Sequence, residues 1–129
     1  MPKQNQISQQ YKINASIKEV WNALTDPKII IKWSGAPAKM NSKQGTKFSL
    51  WNKDIWGTNS EVIPDKKLVQ EWYGGKWDKP SIVVFQLSEK SSVTTVKLTH
   101  NGVPASEVNN FANGWSNYYM GPLKTLLEN

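Results

Sequence analysis

The chain has 129 residues, seven of them tryptophan, no cysteine and a formal net charge of +6. That length suits one domain with a core of its own, and the absence of cysteine excludes disulfides, thiolate nucleophiles and zinc–thiolate sites. All 16 basic residues are lysine and His100 is the single histidine, which argues against arginine-fork reading of bases or phosphates and leaves a metal site only carboxylates, none at calcium-loop spacing.

The polar segment Met1 to Gln6 has no apolar signal core, and no run approaches the length of a membrane span, so a cytoplasmic protein is expected. Ile7, Gln9, Tyr11 and Ile13 alternate and predict a strand over about 6–13. Ser16 and Glu19 form a capping box for a first helix carrying Val20, Trp21 and Leu24. Asp26-Pro27 stops it and starts a second short helix with Ile30, Ile31 and Trp33, ending near Gly35.

From Ala38 to Asn101 the period becomes two. About six strands are expected, joined by turns at Asn52-Lys53-Asp54, Pro64-Asp65-Lys66-Lys67 (read as type I), Gly74-Gly75 and Glu89 to Ser92. Turn-linked neighbours imply an antiparallel meander. Its inward-parity set is Phe48, Leu50, Leu68, Trp72, Phe85, Val96 and Leu98. Parity around Gly57 and Glu61 stays open; an inward Glu61 would be the best acid–base candidate.

Beyond Asn101-Gly102, Val108, Phe111, Trp115, Tyr118, Pro122 and Leu126 recur at helical spacing. They predict one helix of roughly twenty residues with a single apolar stripe, kinked at Gly121-Pro122. One helix facing an antiparallel sheet defines an α+β domain, residues 1–129, with a curved sheet wrapped on the helix.

That order resembles the helix-grip fold of the START-like (SRPBCC) superfamily. Within it the chain is similar to the C-terminal domain of activators of the heat-shock protein 90 ATPase. The matching pieces run in order: Val20 to Thr25, Trp33 to Ala38, Gly45 to Phe48, Gly57 with Glu61 to Lys66, Leu68 to Trp72, and Gly114-Trp115 with Tyr118-Tyr119. The resemblance implies a single-domain, bacterial-type relative without the separate N-terminal domain of the eukaryotic activators. It also implies a cavity for apolar molecules, or a chaperone-contacting surface.

Two functions follow as expectations, with a small cyclase- or hydrolase-type enzyme using the same cavity as a lesser alternative. The favoured one is non-enzymatic binding of a small apolar molecule between sheet and helix by Trp33, Phe48, Leu50, Trp72, Phe85, Leu98, Trp115, Tyr118, Tyr119 and Met120. The alternative is a co-chaperone surface built on Trp51, Trp56, Lys47 and Lys53. Trp51 and Trp56, flanking a turn, would otherwise form a cross-strand pair. His100 reads as a hydrogen-bonded structural residue, because no cysteine or elbow serine accompanies it. No catalytic residue, cofactor or metal is expected, nor a specific nucleic-acid partner, and the chain is expected to be monomeric.

Overall fold

A computed structural model describes residues 6–51, 54–74 and 79–128. The expected caps act where the sequence places them. The Glu19 backbone N–H donates to Ser16 Oγ at 3.2 Å, and the Ser16 N–H donates to Glu19 Oε1 at 3.1 Å, opening helix α1 (Ile17–Thr25). Asp26 caps α2 (Pro27–Ser34), and Gly35 ends it in the left-handed conformation at φ 73°.

Seven strands form one antiparallel sheet: β1 (Gln6–Ile13), β2 (Ala38–Lys39), β3 (Lys47–Leu50), β4 (Ile55–Ile63), β5 (Lys67–Tyr73), β6 (Ser81–Lys90) and β7 (Val93–Asn101). Their spatial order is β1-β7-β6-β5-β4-β3-β2, a six-strand meander with β1 added on the far edge. All seven members of the inward-parity set are buried. The fold is the expected helix grip, with the C-terminal helix packed in the concave face of the sheet.

Two turns depart from simple expectation. The turn after β4 closes with the Lys66 N–H donating to the Ile63 carbonyl, and Asp65 sits at φ 63°. Positive φ at the third position makes it type II, not type I, a conformation that aspartate tolerates. Lys18 Nζ stands 3.3 Å from the Asp65 carboxylate. Ser91 and Ser92 both have positive φ, so β6 and β7 join through a type I′ hairpin, whose twist suits the strands.

A register shift between Asn59 and Glu61 marks a bulge in β4 that settles the parity question. Ile55, Gly57 and Asn59 face inward, Ser60 is the extra residue, and Val62 packs back on the core. Glu61 therefore lies outside, 45% exposed and 3.6 Å from Lys67 Nζ. The bulge removes it as an interior acid.

The C-terminal helix is not one regular rod. A 3₁₀ turn (Ala105–Glu107) leads into α3 (Val108–Gly114). A π-helical segment follows over Trp115–Met120, then α4 (Gly121–Glu128). The proline effect is thus spread over the preceding turn instead of a sharp kink. Pro122 offers no N–H to the Tyr118 carbonyl, and the Gly121 N–H reaches back five residues to the Ser116 carbonyl. A Cβ at Gly121 would lie 2.2 Å from that oxygen, so the wide turn requires glycine. Widening also breaks the single apolar stripe: Tyr118 turns outward, 70% exposed, while Trp115, Tyr119 and Met120 face the sheet.

Candidate functional site

The grip is filled mainly by aromatic rings. Trp115 stacks on Trp72 with centroids 4.8 Å apart and meets Phe85 edge-on at 5.7 Å. Tyr119 lies 4.7 Å from Trp33 and from Trp115, and 5.9 Å from Phe85. Phe48, Leu50, Phe85, Leu98, Met120 and Trp33 close the interior around these rings. Large apolar side chains in mutual contact leave little free volume there.

Buried polar groups thread this interior in two chains. In the first, Trp72 Nε1–H donates to Gln70 Oε1 at 2.7 Å, Gln70 Nε2 donates to Asn59 Oδ1 at 2.9 Å, and Asn59 Nδ2 donates to the Asn41 carbonyl at 3.2 Å. The bulge and register place Asn59 beside Gln70. In the second, Trp115 Nε1–H donates to His100 Nδ1 at 3.1 Å, and His100 Nε2 lies 2.6 Å from Ser81 Oγ.

An indole only donates, so His100 Nδ1 must accept and its proton must sit on Nε2. The imidazole therefore donates to Ser81, which passes its own proton toward the Trp72 carbonyl at 3.4 Å. This is the reverse of a serine–histidine catalytic dyad, in which the ring accepts from the hydroxyl. Burial pushes the His100 pKa down to about 3, which keeps the ring neutral, and both residues are fully buried. Trp115, His100 and Ser81 form a strut from the helix to the sheet.

Tyr119 differs. Its hydroxyl is buried with no hydrogen-bond partner among the described residues, and burial raises its pKa above the usual phenol range. It borders a half-open cleft of about 180 Å³ between the β3–β4 connection and the C-terminal helix. Trp51, Ile55, Trp72, Phe111, Trp115 and Tyr118 line it together with Tyr119.

Of the expected cavity residues, Trp72, Trp115, Tyr118 and Tyr119 line this cleft, whereas Trp33, Phe48, Leu50, Phe85, Leu98 and Met120 lie inside the packed core. Trp51, expected on a partner surface, turns toward Tyr119 at 6.0 Å. Trp56 stacks on Tyr73 on the opposite face of the sheet, so the two tryptophans do not pair with each other. Lys47 is exposed beside it. Lys53 and Trp77 lie outside the described residues. Phe111 already belonged to the helix periodicity, but Ser81 and Asn59 gave no sequence signal, because their roles come from cross-strand register.

Among the described residues no group of three or more His, Asp or Glu could hold a metal, and no helix is long and apolar enough to cross a membrane. Residues 14–128 match the family described as Activator of Hsp90 ATPase homolog 1-like protein. The chain belongs to this family. The human activator of 90 kDa heat shock protein ATPase homolog 1 is 24% identical over 111 residues, covering 84% of this chain and 33% of that protein. The chain spans about a third of the length of the curated relatives it matches, 33% and 36% in two cases.

An HSP90 activator from Plasmodium falciparum is similar over 95% of both chains, with 28% identity and a TM-score of 0.87. The Aha1 dimer from Colwellia psychrerythraea shares the fold at 22% identity and TM-score 0.82, over 95% of this chain and 96% of that one.

Proposed function

We propose that this domain works by binding and not by catalysis, and that its target is a heat-shock protein 90 type ATPase. The observation that carries the reading is the likeness to an HSP90 activator over 95% of both chains. Two features of the interior favour a surface over an enclosed ligand site. The cleft of about 180 Å³ falls below the roughly 300 Å³ at which small-molecule pockets begin. The one histidine has both ring nitrogens engaged, which leaves it no free position for proton transfer.

The test is to add the protein to a purified heat-shock protein 90 type ATPase and follow turnover and complex formation. A rise in turnover with a sedimenting complex is expected. Unchanged turnover together with no complex would remove the reading.

A second reading keeps a specific observation behind it: the apolar cleft is bordered by Tyr119, whose buried hydroxyl has no hydrogen-bond partner among the described residues. A dry cavity of about 150 Å³ suffices for one benzene ring, so a single-ring apolar molecule is the size the cleft fits. Titration with small aromatic compounds, read by tryptophan fluorescence, decides it. Saturable quenching in the wild type that vanishes in Trp51→Ala supports the reading, and a flat titration eliminates it.

A further inference from the structure

The wet face of the sheet holds a feature that the grip does not require. Register places Lys39 opposite Ser49, Ser49 opposite Trp56, and Trp56 opposite Tyr73, so the four form one row across β2 to β5. Residues directly opposite on antiparallel strands point to the same face. The Trp56 and Tyr73 rings stack with centroids 4.3 Å apart and planes 12° from parallel, yet Trp56 remains 45% exposed.

Lys47 lies two residues along β3 from Ser49, on the same face and exposed. Among the described residues the ion pairs involve Lys18, Lys67 and Lys124, so the ammonium groups of Lys39 and Lys47 are unpaired. A groove of about 330 Å³ runs beside Trp56, lined by Lys47, Phe48, Ser49, Trp56 and Gly57. Gly57 is obligatory there, since a Cβ would stand 1.7 Å from the Glu71 carbonyl oxygen. Glu71, in the next row opposite Thr58, is the acidic residue nearest in register.

Aromatic anchors carry most of the energy of protein interfaces and surrounding charges select the partner, and here a solvated tryptophan stands beside two free cations. With a net charge of +6, the molecule attracts acidic partners and repels basic ones.

We propose that this patch is the docking surface for an acidic segment of a partner protein. An apolar side chain of that segment lies on the Trp56 ring, and its carboxylates face Lys39 and Lys47. The identity of the partner rests on the chaperone reading above; the surface and its chemistry do not.

Two measurements keep these apart. In the first, isotope-labelled protein is titrated with a synthetic peptide of glutamates around one phenylalanine. Shifts are expected at the Trp56 indole and in β2 to β4, shrinking severalfold as salt rises from about 50 to about 300 mM. The double variant Lys39→Glu/Lys47→Glu abolishes them. In the second, Trp56→Ala and the double variant each weaken binding to the chaperone roughly tenfold or more, while Tyr118→Ala at the cleft stays within about twofold.

All three positions are exposed, and circular dichroism is the check that the variants fold. Peptide shifts that map to the cleft or nowhere overturn the proposal, as does wild-type chaperone affinity in the patch variants. Shifts at the same residues on concentrating the protein alone, without peptide, assign the patch to a second copy and also overturn it. A wild type that shifts with peptide but never binds the chaperone overturns the partner's identity alone.

Discussion

The Trp72–Trp115 pair inside the grip and the Trp56–Tyr73 pair outside it use the same kind of stacked rings to opposite ends. Inside, both indole N–H groups have acceptors, Gln70 Oε1 and His100 Nδ1, and the rings are almost wholly enclosed. Outside, the rings cover each other only in part and face water beside two lysines. Aromatic burial stabilises by area and contact, whereas aromatic exposure leaves that energy available for a partner. The inner pair is therefore expected to answer to unfolding measurements, and the outer pair, as the proposed docking surface, to binding measurements.

The largest test of this contrast is Trp115→Ala. It removes stacking on Trp72, edge contact with Phe85 and the donor to His100. A loss of about 3 to 5 kcal/mol is expected in urea unfolding. A loss below about 1 kcal/mol would mean that the ring is not packed as described.

Acid should act on the same seam. His100 titrates near 3 in the folded chain against 6.5 ordinarily. Between those values the unfolded chain takes up the proton and the folded chain does not, so stability falls as pH drops through that window. About 3 kcal/mol is lost by roughly pH 4 from this group. Protonation would also set two donors, imidazolium Nδ1–H and indole Nε1–H, against each other. Comparing wild type with His100→Gln in urea at several pH values isolates the effect; parallel pH profiles would refute it.

A smaller change of opposite sign is expected from Tyr119→Phe. Deleting a buried hydroxyl without a partner should stabilise by about 1 kcal/mol. Destabilisation of that size instead would reveal a hydrogen bond to Tyr119 in solution.

The smallest effect on folding belongs to the outer pair. Trp56→Ala removes one cross-strand contact worth about 0.2 to 1 kcal/mol. A cost above about 2 kcal/mol would place Trp56 in the structural class with Trp115 and erase the distinction between the two faces.

Local rules carried a large part of this protein. The capping box at Ser16, the Asp26-Pro27 junction, the Gly35 stop and the inward set from Phe48 to Leu98 depend on neighbours within a turn or on alternation. Each is readable residue by residue, and their order sufficed for the helix grip and its family resemblance. The lysine-only charge likewise belongs to composition and favours acidic partners over basic ones.

Tertiary structure decided what needs two distant segments at once. The bulge at Ser60 that turns Glu61 outward arises from the pairing of β4 with β5, and no single strand specifies it. Gly121-Pro122 announced a break in the helix, but the π turn depends on the Ser116 carbonyl closing on Gly121 while Trp115 and Tyr119 pack against the sheet. That one-residue shift, about a quarter of a turn, put Tyr119 at the core and Tyr118 outside. His100 could be read as inward from its parity with Leu98, yet its tautomer follows from Trp115 on one side and Ser81 on the other. Trp51 and Trp56, five residues apart, diverge because the chain reverses between β3 and β4. One ring meets Tyr119 of the helix and the other meets Tyr73 across the sheet. Sequence determines which side chains can bury or bind, and register and closure of the grip determine which of them do.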